Sequence, residues 1–301
     1  MTVLRYQLWD QKIGEPGLLL QYNGDNILFD TPFCLFDRAI KTSMLHNTKA
    51  IFLTHRHRDH FGGIDRLFFE VSPLPYIVGN SGTIKAVQQR LHSYDINLIA
   101  PDEIKGTEVH STDTPACVFQ TDSYHVEAVS LLHGDIESIA YAFCESPKIK
   151  LDKKKLALRG YASGAWVREV KEALESKQHP PTITIDDKTI DFEDIATLFY
   201  EIPGKKIVYA SDFSITPRNK TVLESLAHNA DHFFCEAAYL NEDRDLALKN
   251  HHQTVEEVAL IAQNANVSSL HLFHHSRRYQ RYPHAEETFL QQAAQIFTNV
   301  V

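Results

Sequence analysis

Short apolar runs recur along the chain, and each ends at a polar residue or a turn. Runs of roughly four to eight residues bounded in this way are typical of buried β-strands. The runs that we interpret as strands lie at 3–6, 18–22, 26–30, 50–54, 76–78, 126–133, 207–210, 232–235 and 270–273. Between the second and third runs, Asn23, Gly24 and Asp25 form a hairpin turn signal. The pattern therefore predicts many short strands.

Segments between these runs predict helices. Residues 37–47 and 81–92 have the length and composition of short helices. A further helix follows Thr254, which stands three residues before Glu257, as in a capping box. The apolar stripe of this helix comprises Val255, Val258, Ala259 and Ala262. Because strands alternate with helices in both halves of the chain, we expect an α/β fold with two sheets and with helices outside them.

The composition changes within residues 147–200. Between Lys148 and Lys171 there are eight basic and two acidic residues, although the whole chain carries a formal charge of −9. We interpret 147–200 as an inserted basic arm or lid. The alternative is a solvated helical face, which is what most runs of charge are.

Composition narrows the class of protein. The 301 residues suffice for one large domain or two ordinary ones, and no apolar segment approaches the ~20 residues that span a bilayer. The N-terminus has no signal-peptide pattern. The four cysteines, at 34, 117, 144 and 235, form no Cys-x-x-Cys pair, so we expect neither a disulfide framework nor a thiolate metal site. A reducing cytoplasm is the expected compartment.

The segment from Thr54 to Gly63 is the main candidate for chemistry. It follows an apolar strand and places three histidines and an aspartate within six residues: His55, His57, Asp59 and His60. His55 and His57 are two apart and share one side of an extended segment, whereas the next two ligands follow the start of a turn. This arrangement suits two adjacent metal ions. Gly62 and Gly63 allow a tight turn and a close approach to a bound ion. The alternative, a polar surface loop, does not explain this density of ligands.

Four further polar residues stand at the C-terminal ends of apolar runs: His133, Asp212, Glu236 and His274. Two metal ions need about seven ligands, one of them shared, and two such ions can activate water for an in-line displacement. Seven ligands are available in His55, His57, Asp59, His60, His133, Asp212 and His274. Imidazole and carboxylate ligands without thiolates favour Zn²⁺, with Mn²⁺ or iron as alternatives.

The order of these motifs resembles the metallo-β-lactamase superfamily. Three later motifs resemble ribonuclease Z, the family of tRNA 3′-end endonucleases: the Glu236-Ala237 step, the His252-x-Thr254 that heads a helix, and the His274-x-Ser276-x-Arg278-Tyr279 run. The resemblance covers roughly residues 26–63 and 126–285. It implies a four-layer αββα sandwich over 1–301 as a single domain, with the arm inserted at 147–200.

The resemblance also implies roles for the ligands. One ion is held by His55, His57 and His133. The other is held by Asp59, His60 and His274. Asp212 bridges the two ions, and a hydroxide between them attacks the phosphorus. Asp59 orients or deprotonates this nucleophile, and His252, steered by Glu236, stabilises the transition state or protonates the leaving oxygen.

Substrate contacts are implied as well. The arm grips precursor tRNA, with Lys153, Lys154 and Lys155 as candidate phosphate contacts. Arg277, Arg278 and Arg281 near His274 are further candidates, and their alternative role is pairing with local carboxylates. The family favours a homodimer in which the arm of one subunit serves the site of the other.

Three functions follow from these residues. The first is an endonuclease that removes 3′ trailers from precursor tRNA. The second is a hydrolase of a small phosphodiester, lactone or thioester on the same metal centre, which the acidic charge and the absence of a glycine-rich N-terminal signature favour. The third is a non-catalytic RNA- or partner-binding module on a retained metal fold. The remaining histidines have no partnered spacing, and we expect ordinary surface or core roles for them.

Overall fold

The computed structural model describes residues 4–9, 15–33, 45, 47–70, 74–93 and 106–301. The helix predicted at 37–47 lies outside the described residues, except for positions 45 and 47, which are in turns. Among the described residues, no helix combines the length and the apolar character needed to cross a bilayer.

Within the part of the chain that the structure describes, the first sheet contains six strands in chain order. They are β1 (Arg5–Trp9), β2 (Gly17–Tyr22), β3 (Asp25–Phe29), β4 (Thr48–Phe52), β5 (Tyr76–Gly79) and β6 (Gly106–Glu108). β1 to β3 pair antiparallel, with the expected hairpin between β2 and β3, and β3 to β6 pair parallel. The first strand was predicted at 3–6, where residue 3 lies outside the described residues, and it spans Arg5–Trp9. The helices α1 (Arg58–Phe61), α2 (Ile64–Glu70) and α3 (Ser81–His92) follow β4 and β5.

The second sheet also has six strands. They are β7 (Ala116–Gln120), β8 (Tyr124–His133), β9 (Ile136–Glu145), β14 (Lys206–Ala210), β15 (His232–Glu236) and β16 (Leu270–Phe273), in the spatial order β16-β15-β14-β9-β8-β7. β14, β15 and β16 run parallel, whereas β9 pairs antiparallel with β14. The accompanying helices are α7 (Pro217–Ala227), α8 (Arg244–Asn250), α9 (Val255–Asn264) and α10 (Ala285–Ala294), with 3₁₀ turns at Asn241–Asp243 and Arg277–Arg281.

Strand side chains alternate between two buried layers. Ile27 and Phe29 of β3 enter the core between the sheets, whereas Leu28 packs outward with Ile84 and Val87 of α3. The outer face of the second sheet packs against α7, α9 and α10. Because helices cover the outer faces of the central strands, these strands read as continuous apolar runs. The four-layer αββα architecture expected from the sequence is therefore confirmed.

Residues Glu145–Lys205 form a separate compact unit, and the other unit comprises Met1–Cys144 with Lys206–Val301. The separate unit contains β10 (Lys148–Leu151), α4 (Lys153–Leu158), α5 (Trp166–Ser176), β11 (Thr182–Ile185), β12 (Lys188–Asp191), α6 (Phe192–Ala196) and β13 (Phe199–Ile202). β10 pairs with β13, and β11 forms a hairpin with β12. Its core includes Trp166, Val170, Phe192 and Ile195. The basic segment thus belongs to a unit with a hydrophobic core of its own.

The predicted capping box at α9 does not form. The side chain of Thr254 makes no capping hydrogen bond, and its buried Oγ1 has no hydrogen-bond partner among the described residues. Thr254 instead bridges to Tyr239 through the backbone, and Asn241 Oδ1 accepts the Glu256 N–H at 2.8 Å. Glu257 pairs with Arg244.

Candidate dinuclear metal centre

The seven candidate ligands converge at the C-terminal ends of strands from both sheets. His55 and His57 follow β4, and His133 is the last residue of β8. Asp212 follows β14, and His274 follows β16. Asp59 and His60 lie on the short helix α1, one turn beyond the other two ligands of the motif. The change from extended chain to helix therefore separates the motif into two pairs of ligands.

These side chains form two groups, and Asp212 contacts both of them. Within the first group, ligand atoms of His55, His57, His133 and Asp212 all lie within 4.8 Å of one another. Asp59, His60 and His274 form the second group by the same measure.

Asp212 lies between the groups. Its Oδ2 is 3.7 Å from Nε2 of His55 and 3.8 Å from Nε2 of His133. Its Oδ1 is 3.4 Å from Nε2 of His60 and 3.0 Å from Nδ1 of His274. A carboxylate in this position can offer one oxygen to each group.

Neighbouring oxygens orient three of the histidines. Nδ1 of His55 lies 3.0 Å from Thr54 Oγ1, and Nδ1 of His60 lies 2.8 Å from Asp30 Oδ2. Nδ1 of His133 lies 2.9 Å from the backbone oxygen of His251. Metal-binding histidines commonly donate one ring N–H in this way, which fixes the tautomer and presents the other nitrogen to the ion.

The donor set fits divalent cations. Nε2 of His55 and of His60 is buried and makes no hydrogen bond among the described residues. Burial raises the pKa of Asp212, but the surrounding histidines outweigh it and hold that pKa well below its usual value. Burial lowers the pKa of His60, but Asp212 and Asp30 outweigh it and raise that pKa to about 10. Buried carboxylates that attract protons onto nearby imidazoles would equally attract metal cations.

Buried Glu236 and partly exposed His252 form a pair beside these groups. His252 Nδ1 lies 2.8 Å from Glu236 Oε2, and Glu236 Oε1 accepts the Phe213 N–H at 2.7 Å. Burial opposes protonation of His252, but Glu236 and Asp212 outweigh it and raise its pKa. Atoms of Asp212, Glu236, His252 and His274 also lie within 4.8 Å of one another. The direct hydrogen bond between Glu236 and His252 favours an acid–base pair over two further ligands.

A cleft of about 200 Å³ opens beside this pair. Its lining comprises Asp59, Ala238, Tyr239, His252, His274, His275, Ser276 and Arg277. Of the other candidate arginines, Arg278 pairs with Asp243 at 3.1 Å, and Arg281 is exposed. Arg277 is thus the arginine that the structure brings to the cleft.

The three candidate lysines lie in the unit Glu145–Lys205. All three are exposed on α4, and Asp152 caps this helix by accepting the N–H groups of Lys154 and Lys155. Lys153 and Lys154 line a concavity of about 540 Å³ together with Tyr200. Lys155 Nζ donates to a backbone oxygen at 3.1 Å.

Comparison with known proteins identifies the family. No family model matches the chain. The chain is 31% identical to ribonuclease Z of Thermococcus kodakarensis over 282 residues, which cover 90% of this chain and 82% of that protein. Ribonuclease Z of Thermococcus sibiricus is 30% identical over 282 residues, which cover 90% of this chain and 84% of that protein. The chain belongs to the ribonuclease Z family.

Solved structures agree with the fold of the ribonuclease Z family. The short form of human tRNase Z has a TM-score of 0.61 at 19% identity, covering 91% of this chain and 93% of that one. A metallo-β-lactamase fold protein of Bacillus subtilis has a TM-score of 0.58 at 14% identity, covering 95% of this chain and 87% of that one.

In this ribonuclease Z family member, sequence reasoning missed Asp30. It is fully buried at the end of β3 and accepts hydrogen bonds from the backbone N–H and the hydroxyl of Thr54, from His60 and from the hydroxyl of Tyr209. Its position after a buried strand was the available signal. His251 was expected to be an ordinary surface histidine, and its ring is exposed, but its backbone oxygen orients His133.

Two backbone features shape the site. Asp30, Asp212 and His274 have φ values of 57°, 51° and 61°, so three strand ends use the left-handed region. Gly63 was expected to approach a bound ion, but its N–H donates to Thr31 O at 2.8 Å, and an added Cβ would lie 2.5 Å from Pro32 O. The glycine pair therefore permits close packing against the loop after β3.

Proposed function

We propose that the chain is a metal-dependent endonuclease that removes 3′ trailers from precursor tRNA. The observation that carries this proposal is the position of Asp212 between two ligand groups, beside the Glu236–His252 pair, in a member of the ribonuclease Z family. The relatives named ribonuclease Z favour this activity over hydrolysis of a small phosphodiester, lactone or thioester.

The proposed cofactor is a pair of divalent cations, with Zn²⁺ favoured by the imidazole and carboxylate ligands. His55, His57 and His133 would hold one ion, and Asp59, His60 and His274 the other. Asp212 would contact both. When bound, the two ions supply Lewis-acid stabilisation of phosphoryl oxygens and lower the pKa of water.

Two protein groups handle protons in the proposed reaction. Asp59 lines the cleft, and its nearby histidines outweigh burial and lower its pKa, so it is a carboxylate at neutral pH. It accepts a hydrogen bond from the attacking water and orients it. His252 is held at Nδ1 by Glu236, which leaves Nε2 to donate a proton to the leaving oxygen. Glu236 raises the pKa of His252 and so favours the protonated form that this transfer needs.

We assign RNA binding to two sets of basic side chains, one on α4 and one at the cleft. Lys153 and Lys154 contact tRNA phosphates in the proposed complex, and exposed Tyr200 beside them offers a ring on which a base can stack. Phosphate contacts give affinity without reading sequence. Arg277 contacts the phosphate nearest the cleaved bond. We further propose a homodimer, from the family resemblance, and a cytoplasmic location, which the free thiols of Cys117, Cys144 and Cys235 favour.

The decisive assay uses a precursor tRNA labelled in its 3′ trailer. Chelator-treated protein should release the trailer only after Zn²⁺ or Mn²⁺ is added, and Asp212→Asn should be inactive. His252→Ala should retain both metal ions but cleave slowly, which separates proton transfer from metal binding. The proposal fails if the metal-loaded protein hydrolyses bis-p-nitrophenyl phosphate but leaves every precursor tRNA intact. Light scattering of the purified protein tests the dimer.

A further inference from the structure

A second cluster of metal-binding side chains lies on the outer face of the second sheet. His125 and Glu127 are on β8, and Cys144 is near the end of β9. His125 Nε2 is 3.7 Å from Glu127 Oε1, and Cys144 Sγ is 3.9 Å from Glu127 Oε2. One ligand atom from each of the three residues lies within 4.8 Å of the other two. None of these residues belongs to the centre proposed for catalysis.

In the metal-free chain the Cys144 thiol donates a long hydrogen bond to Glu127, and these separations also suit ligand atoms around a shared ion. Direct hydrogen bonds between nitrogen and oxygen are about 2.7–3.2 Å long, so the His125–Glu127 contact is too long to be one. Tetrahedral bonds of about 2.1 Å to nitrogen or oxygen and 2.3 Å to sulfur place ligand atoms roughly 3.4–3.6 Å apart. The two contacts of Glu127, at 3.7 Å and 3.9 Å, exceed those values by a few tenths of an ångström, and all three ligand atoms lie within 4.8 Å of one another. All three are partly exposed, so an ion can reach them from solvent.

Cys144 is too far from Cys117 to form a disulfide with it. The other nearby thiol, Cys117, lies on β7 opposite Glu127, whereas Cys144 lies on the other side of β8. Two strand spacings separate their Cα atoms by at least roughly 9 Å. A disulfide needs Cα atoms about 4.4–6.8 Å apart. Cys144 can therefore bind a metal without competition from an intramolecular disulfide with Cys117.

We propose that His125, Glu127 and Cys144 bind a third divalent cation of the zinc type, with a water molecule completing its coordination. The bond to sulfur forms as the Cys144 thiol gives its proton to solvent. Burial and the Glu127 carboxylate raise the pKa of this thiol to about 12. A cation bound between the thiol and the carboxylate lowers this pKa, because its positive charge stabilises the thiolate. The ion would tie β8 to β9 on the face opposite the core between the sheets.

Cobalt(II) titration of the full chain tests this proposal. The ligands proposed for the catalytic centre are nitrogen and oxygen atoms, so a thiolate-to-cobalt charge-transfer band cannot come from that centre, and the cysteine variants identify the thiol that gives it. The wild type should develop this band, and its full intensity should correspond to one cobalt ion bound per chain at this site. Cys144→Ser should lose it, and His125→Ala should bind cobalt at this site at least tenfold more weakly. Cys117→Ser is the matched control because it removes the exposed neighbouring thiol, and it should keep the band.

Two results would overturn the proposal. One is the absence of a thiolate band in the wild type at saturating cobalt. The other is a band that persists in Cys144→Ser and disappears in Cys117→Ser. Melting temperatures of the variants verify that each is folded, and His125→Ala provides a second test that does not alter a thiol. Cleavage of precursor tRNA by Cys144→Ser should remain at the wild-type rate, so the outcome does not depend on the proposed function.

Discussion

Replacing Asp30 with asparagine should weaken metal binding without removing any ligand. The Asp30 carboxylate accepts the Thr54 N–H and His60 Nδ1–H at 2.8 Å, the Thr54 hydroxyl at 2.9 Å and the Tyr209 hydroxyl at 3.2 Å. An asparagine side chain has one acceptor oxygen with two lone pairs, and its NH₂ group points toward a donor. At least two of the four donors would lose their acceptor.

The size of the effect follows from these contacts. A buried donor without a partner costs about 1–3 kcal/mol, so two of them should lower the free energy of unfolding by roughly 2–6 kcal/mol. Because His60 would no longer be oriented, metal affinity should fall by about 10- to 100-fold, as is typical when such outer hydrogen bonds are removed.

Competition with a chelating dye measures the affinity for Zn²⁺, and urea unfolding of the metal-free protein measures the stability. Asp25→Asn is the matched control because Asp25 is at the other end of β3 and accepts one hydrogen bond, from Tyr124, at 3.3 Å. If Asp30→Asn bound zinc as tightly as Asp25→Asn and unfolded at the same urea concentration, the assigned role of Asp30 would be refuted.

Three further predictions concern catalysis, packing and pH. His252→Ala should lower kcat by about 10²–10⁴-fold. Glu236→Gln should move the alkaline limb of the pH–rate profile to lower pH, because Glu236 raises the pKa of His252. Gly63→Ala should lower the free energy of unfolding by about 1–3 kcal/mol, because its Cβ would overlap a backbone oxygen of the facing loop. Burial and a neighbouring imidazole lower the pKa of His271 to about 4. The unfolded chain therefore binds this proton more readily, and stability measured by urea unfolding should fall as pH drops from about 6.5 to 4, by at most ~3 kcal/mol.

Each of these predictions has its own control. The metal content of His252→Ala should equal that of the wild type, and an unchanged kcat would exclude the proposed proton transfer. Gly82→Ala in α3 adds a Cβ at ordinary contact distance, so equal losses in Gly63→Ala and Gly82→Ala would contradict the packing argument. His271→Gln should flatten the dependence of stability on pH, and a slope that stays the same would assign it to other groups.

The convergence of the candidate ligands was predictable because it depends on a simple property of sheets. His133, Asp212 and His274 each follow an apolar run, and the ends of neighbouring strands meet at one edge. Asp30 obeys the same rule, but a lone aspartate after a strand looks like an ordinary turn residue. The backbone oxygen of His251 leaves no trace in the sequence at all, since every residue has one.

Other features depended on contacts that local patterns do not encode. The spacing of Thr254 and Glu257 suits a capping box, but the backbone bridge to Tyr239 positions Thr254 differently. The charge of residues 147–200 indicated a separate segment, but not its core. Trp166 and Ile183 are far apart in the sequence, and they share a core only because the segment folds on itself.

The left-handed backbone at Asp30, Asp212 and His274 bears on how inactive variants should be made. For most side chains this conformation costs about 1–2 kcal/mol, whereas asparagine adopts it routinely. Alanine at 212 or 274 would therefore remove a proposed ligand and also let the strand end relax, so the two effects could not be told apart. Asparagine at the same positions removes the negative charge of Asp212 or the imidazole of His274 and keeps the loop geometry. Complexes that trap uncleaved precursor tRNA for crystallography are accordingly best sought with Asp212→Asn or His274→Asn.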